Sequence, residues 1–210
     1  RMGGDITAEE PEIYSGDFGS PEQMIPAGGM TDVKGNPIPW ETCITLNDHW
    51  CYNANDLNYK SARNVINMLM ECVSKGGNLL LNVGPDARGN IPEKSIEILK
   101  EVGEWMRLNG ESVYGCGIAN IPKHDFGRIT KGKDAIYLYV QDCCSEYVAL
   151  YDCPYEVIGA RLLCDGRELS TEDPWNVHSY EIPGHTVHFI RTPPFAKLNS
   201  NGNVIKLLIK

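Results

Sequence analysis

Arg1, Asp17, Glu22, Glu41, Asp48, His49 and Trp50 crowd the first fifty residues with groups that can move a proton, bind a hydroxyl or stack on a ring. Hydrolysis of a glycosidic bond draws on such a set. One carboxyl protonates the leaving oxygen, and a second attacks the anomeric carbon or activates water. An aromatic wall covers the apolar face of the sugar, and a few donors take its hydroxyls. The residue types permit this chemistry without selecting it, because loops rich in Asp and Glu are mostly solvated. Placement would matter more: in parallel barrels, reacting groups gather at the C-terminal ends of strands and in the loops that follow.

The elements that must position them are legible from period and punctuation. Residues 1–39 are rich in Gly, Pro and acidic groups and predict a long loop with little regular structure. Glu41 to Leu46 predicts a short strand. A helix is expected from about Ser61 to Lys75, where Ala62, Val65, Ile66, Leu69, Cys72 and Val73 recur at three and four and form one apolar face. Asn78 to Val83 is an apolar run too short for a helix, expected as a strand buried on both faces. A second helix should open at Pro92 and run to about Asn109 with Ile96, Leu99, Val102, Trp105 and Met106 inward. Strand, helix, strand, helix with short joints argues a parallel sheet with crossover helices. Two such units do not close a sheet. From about Gly115 the pattern changes to short runs at 135–140, 147–151, 157–163, 186–190 and 204–209 with Lys-Gly, Asp-Gly and Asn-Gly turns between them. These predict an antiparallel β domain of sandwich type.

Composition narrows the classes. A hydrophobic content of 42 % suits a folded protein, and a formal charge of −9 repels a phosphate backbone, so nucleic acid is not an expected partner. No apolar run is long enough to span a bilayer, so no membrane association is expected. The expectation is a soluble protein, bacterial-type cytoplasmic or secreted. Beginning at Arg1, the sequence would leave an upstream segment or leader out of view. The eight cysteines, at 43, 51, 72, 116, 143, 144, 153 and 164, contain no C-x-x-C pair, and buried free thiols are expected rather than a zinc site or disulfide scaffold. His124, His178, His185 and His188 lack carboxyl or cysteine neighbours at ligand spacing, so no metal is expected there either.

Three stretches then carry a resemblance. W-E-T-C-I-T-L-N-D-H-W-C-Y-N (Trp40 to Asn53), V-S-K-G-G-N-L-L-L-N-V-G-P-D-A-R-G-N-I-P (Val73 to Pro92) and G-E-W-M-R-L-N-G-E-S-V-Y-G (Gly103 to Gly115) are similar, in order and separation, to segments of the α-L-fucosidases of glycoside hydrolase family 29. A looser likeness to the family's sandwich domain falls on Ala160 to Leu169. The resemblance implies the last β/α units of a (β/α)8-like barrel over residues 1–114 and a β-sandwich over 115–210. It also implies hydrolysis of terminal α-L-fucose with retention. Arg1 matches an arginine that binds fucose hydroxyls, and Trp50 matches the aromatic that packs on the C5 methyl. Glu22 and Glu41 match the two positions at which members carry the general acid/base. His49 and Trp40 complete the substrate-binding candidates, although the spacing around Trp40 reads equally as core. Cys51 stands where the family has glycine.

The family's nucleophilic aspartate matches nothing here, and retention needs both carboxyls about 5–5.5 Å apart. The expectation is therefore no turnover by these residues alone, with a missing N-terminal barrel segment as partner, a fucosylated glycan as substrate and no cofactor. A homo-oligomer is compatible with the sequence. The rival expectation is a non-catalytic carbohydrate-binding or degenerate scaffold protein.

Overall fold

Glu41–Thr45 (β1) pairs in parallel with Asn78–Asn82 (β2), in register from Glu41↔Asn78 to Thr45↔Asn82. A parallel partner requires a crossover, which Ala62–Ser74 (α1) supplies. The Ser61 hydroxyl caps that helix by accepting from Asn64 N at 3.2 Å. Ala62, Val65, Ile66, Met70, Cys72 and Val73 form its buried face, so the predicted stripe is observed with Met70 in place of Leu69. Leu46, Ala62, Val65 and Ile98 make a local core, with Leu81 and Val83 packed against it.

The computed structural model describes residues 17–32, 34–141, 146–179, 181–193 and 199–210. It falls into two units, Arg1–Val102 and Gly103–Lys210, with Glu93–Asn109 (α2) running across the division.

Two expectations for the first unit need correction. The described residues before β1 have little regular structure, as expected, but isolated bridges of Gly19 with Trp40 and of Glu22 with Cys43, both in the parallel sense, lay residues 19–23 along the free edge of β1. Backbone donors and acceptors on an open strand edge seek partners, and the pairs Glu41 N to Gly19 O and Gln23 N to Cys43 O, each 2.9 Å, satisfy them. Next, β2 is not buried on both faces, since Leu80 is 51 % exposed. Leu79 and Leu81 share a face with Thr42 and Ile44, whereas Leu80 lies with Cys43 on the opposite one. In α2, finally, Ile96 and Leu99 are exposed, and the buried positions are Ser95, Ile98, Trp105 and Asn109. That set also follows helical spacing, and an apolar count alone selected the neighbouring stripe because Ser95 and Asn109 are polar.

Trp40 is 2 % exposed, with its indole N–H donating to Lys75 O at 3.3 Å. Gly77 makes room for it, because a Cβ there would lie 2.1 Å from the indole ring. Gly77→Ala is expected to cost about 2 kcal/mol by overpacking, read as a lower urea midpoint at unchanged slope; an unchanged midpoint would show that the indole can move aside.

The second unit is antiparallel, as its alternating runs predict. Gly117–Ile118 (β3), Gly127–Lys131 (β4), Ala135–Val140 (β5), Val157–Leu162 (β7), Glu168–Leu169 (β8) and Asn203–Ile209 (β10) form a sheet ordered β3-β4-β5-β10-β7-β8. Tyr147–Tyr151 (β6) and Val187–Arg191 (β9) form a second. Ile136, Leu138, Leu162, Ile205 and Leu207 of the first sheet share one core with Val148, Leu150 and Ile190 of the other. Trp105 is fully buried, donates to Gly202 O at 3.0 Å and meets Tyr139 edge-on at 5.8 Å. Strand β4 was not foreseen, because G-R-I-T-K carries a single large apolar residue.

Candidate active site

Thr45 ends β1, and the chain then makes an excursion whose ends are tied together: Leu46 N donates to Asn82 O and Lys60 N to Leu46 O, each at 2.9 Å. The Lys60 ammonium donates to Thr45 O at 2.6 Å, neutralising carbonyls left open where the strand stops. A loop closed this way stands on the C-terminal end of a parallel strand, the position at which barrel chemistry collects.

Asp56 organises its interior. The carboxylate is 2 % exposed and accepts the Asp48 N–H at 3.0 Å, the Asn58 N–H at 3.2 Å and the His49 ring at 2.7 Å. Asn53 Nδ2 lies 3.4 Å from the other ring nitrogen. Asp56 can only accept, so this contact puts a proton on Nδ1 of His49. The His49 hydrogen bond, helped by the Asn58 and Asp48 amides, holds the Asp56 carboxyl below the usual carboxylate range against the opposing effect of burial. Asn58 Nδ2 also bridges both oxygens of Asp48, at 3.1 and 3.0 Å.

This clamp presents His49, with 55 % of its side chain exposed, and Trp50, 37 % exposed. The loop returns close to β2: a Cβ on Gly84 would lie 2.7 Å from the backbone of both Cys51 and Tyr52. The close approach thus falls on Gly84, and the Cys51 thiol is exposed. By contrast, burial pushes the Cys72 thiol up to about 12. Brief treatment with iodoacetamide near neutral pH should alkylate Cys51 and spare Cys72, since the thiolate is the nucleophile; peptide mass spectrometry showing equal modification would contradict this packing.

The two candidate glutamates share a face. Glu22 pairs with Cys43, which lies on the same side of β1 as Glu41. Glu41 opens β1 at its N-terminal end and is half-buried, whereas Glu22 is exposed and is followed by Gln23. The Gln23 amide donates to Thr45 Oγ1 at 3.0 Å and accepts the Thr45 N–H at 3.3 Å, which ties this segment to the loop end of β1. On the same face Asn82 carries a buried Oδ1 without a hydrogen-bond partner among the described residues. Trp40 lies in the core with no surface to offer a sugar. Arg1 falls outside the described residues.

Asp56, Gln23 and Gly84 were not singled out from the sequence. The run N-A-N-D-L-N signals side-chain-capped turns, and Asn55 N to Asn53 Oδ1 at 3.0 Å is one. Nothing local says that Asp56 turns inward.

The chain is similar to known proteins in sequence and fold. The α-L-fucosidase family model matches residues 4–111. The α-L-fucosidase of Dictyostelium discoideum is 41 % identical over 78 residues, 36 % of this chain and 17 % of that protein. Human plasma α-L-fucosidase is 38 % identical over 81 residues, covering 37 % and 17 % respectively. Among solved structures, α-L-fucosidase isoenzyme 1 from Paenibacillus thiaminolyticus superposes with a TM-score of 0.93 at 46 % identity, over 100 % of this chain and 49 % of that one. An α-L-fucosidase of family 29 from Bacteroides thetaiotaomicron, trapped as a covalent intermediate with 2-fluoro-fucosyl fluoride, gives 0.77 at 27 %, over 94 % of this chain and 44 % of its own. The chain thus spans about half the length of the solved relatives it matches. With the family model covering 108 of 210 residues (4 to 111 inclusive) and the relatives agreeing, the chain belongs to the α-L-fucosidase family.

Proposed function

We propose that this chain works as the C-terminal half of a retaining exo-α-L-fucosidase, releasing terminal α-L-fucose from oligosaccharides or glycoconjugates. The observation that carries the reading is the clamped loop at the C-terminal end of β1, in which buried Asp56 holds His49 and places a part-exposed Trp50 beside it. An indole suits the C5 methyl of the deoxysugar and an oriented imidazole suits its hydroxyls. Arg1 supplies a further donor. Residues 1–114 would complete a (β/α)8-like barrel, on whose inner face Glu22, Glu41, Cys43 and Leu80 stand, and residues 115–210 form the sandwich that follows. Upstream residues of the same polypeptide would cover that face and bring the aspartate nucleophile.

In the reaction the aspartate attacks the anomeric carbon while a glutamic acid protonates the departing oxygen. The same glutamate, then ionised, takes a proton from the water that releases fucose from the enzyme. Glu22 suits this role better than Glu41, because its segment is bound to the loop end of β1. The covalent intermediate trapped in the Bacteroides thetaiotaomicron relative supports a retaining course. No step calls for a metal or a cofactor.

The test is to assay the polypeptide extended by its upstream half on an aryl α-L-fucoside, and to follow the first-formed product by proton NMR. Release of α-fucose by the extended protein and no turnover by the 210 residues alone are expected. First release of β-fucose would discard the retaining mechanism, and an inactive extended protein would leave a carbohydrate-binding scaffold as the better account.

A further inference from the structure

Gln23 has a left-handed backbone, with φ at 57°. Asn120 and Asp152, at 54° and 53°, share that region, but their short polar side chains enter it readily. Glutamine lacks that ease. A residue held there against its preference needs surroundings that over-determine it, and such residues gather at active sites. Gln23 directly follows Glu22.

The free edge of β1 supplies those surroundings. Glu41 N donates to Gly19 O at 2.9 Å and Cys43 N to Pro21 O at 3.2 Å. The next rung of this ladder would join Thr45 N to the backbone carbonyl of residue 23. Instead the backbone turns at Gln23, and the side-chain Oε1 accepts the Thr45 N–H at 3.3 Å. Gln23 Nε2 donates to Thr45 Oγ1 at 3.0 Å; Thr45 is 1 % exposed, and its hydroxyl gives its own proton to Asn47 O. Only a side chain with both an acceptor and a donor answers this pair, because the Thr45 N–H can only donate and the Oγ1 proton is committed. The chain then leaves the strip at once: Met24 O accepts at 2.6 Å from Thr42 Oγ1, on the opposite face of β1 from Cys43. Glu22 is thus the last residue before the turn, bracketed by the Cys43 N bond to Pro21 O and by Gln23 N donating to Cys43 O at 2.9 Å.

We propose that Gln23 is a positioning residue for the general acid/base: its amide stands in for a peptide group at the end of the ladder and fixes the Glu22 backbone against Thr45. It acts through Glu22 rather than on the sugar. Thr45 also carries the loop end, since its carbonyl accepts from Lys60 Nζ at 2.6 Å. One amide therefore joins the segment of the proton donor to the loop that presents His49 and Trp50. This role stands only if Glu22 is the acid/base. A general acid must lie within hydrogen-bond reach of the leaving oxygen, and a misplacement of about an ångström costs up to about 10²-fold in rate.

In the full-length polypeptide, Gln23→Ala should lower kcat/KM about 30-fold on a fucoside whose leaving group needs protonation, within the loss expected for such a shift. On an activated aryl fucoside the loss should stay below about threefold, because that leaving group departs unassisted. Gln23→Gly enters the left-handed region freely but has no amide, and should fall as far as Gln23→Ala. Hydrogen exchange reads the bridge directly: the Thr45 amide should exchange at least about tenfold faster in Gln23→Ala, while the Cys43 amide, bonded to Pro21 O, keeps its protection. Parent-like rates in Gln23→Gly, equal Thr45 exchange in parent and Gln23→Ala, or one and the same loss on both fucosides overturns the role. A full loss in Glu22→Ala beside a parent-like Gln23→Ala removes the positioning role alone. A parent without turnover, or Glu22→Ala without loss, removes the acid/base reading and the role with it.

Discussion

Glu22→Ala in the full-length polypeptide is expected to lower kcat about 10³-fold on a fucoside whose leaving group needs protonation, the middle of the range for loss of a general acid/base. Glu41→Ala should cost less than tenfold. Both glutamates stand on one face of the β1 strip, but Glu41 is paired with Asn78 at the N-terminal end. Four residues at about 3.3 Å each put it roughly 13 Å along the strand from Thr45. Glu22 sits two pairs further along, and Gln23 beside it is already bonded to Thr45. Two signatures would separate a proton donor from a merely structural carboxylate. An activated aryl leaving group departs without assistance, so Glu22→Ala should lose much less on it, and added azide should restore turnover by attacking the fucosyl-enzyme in place of activated water. A Glu41→Ala variant that loses more than Glu22→Ala and is rescued by azide would transfer the role.

Asp56→Ala should lower kcat/KM by roughly 10²-fold, the size expected when positioning groups shift by about an ångström. The removed carboxylate accepts two backbone N–H groups and the His49 ring, so the loop from Asp48 to Asn58 loses its internal anchor. Asp56→Asn keeps one acceptor oxygen and should lie between. The pH dependence follows from the same contacts. Because the folded carboxyl is held below its ordinary value, the order it confers is complete above the unfolded aspartate value of about 3.9. That order is lost as pH falls through the lower folded value. Hydrogen exchange of residues 48–58 should show protection at neutral pH that fades in acid in the parent and is missing in Asp56→Ala at both. An Asp56→Ala loop protected like the parent, with kcat/KM within threefold, would remove Asp56 from this role.

Much of this protein is legible from spacing. The buried face of α1, the β5, β6, β7, β9 and β10 runs and the family segments around Trp40, Val73 and Gly103 are all local in sequence. They rest on side-chain period and turn residues, which the chain carries wherever it folds. The Glu22 and Trp50 candidates came from the family motifs, not from period.

Other features depend on partners distant in the chain. Residues 19–23 look like open loop until β1 offers them an edge, and the register of Glu22 with Cys43 exists only in that pairing. Leu80 belongs to an apolar run, yet its exposure depends on what lies over that face of β2. Asp56 reads as one more polar turn residue, and only the folded loop turns it inward onto His49. Trp50 and Trp175 share a residue type with Trp40 and Trp105, but whether an indole meets solvent or core depends on the neighbours that arrive around it. Period determines which way a side chain points from its own backbone, whereas burial, register and close approach come from segments many residues away, and those the tertiary structure alone decided.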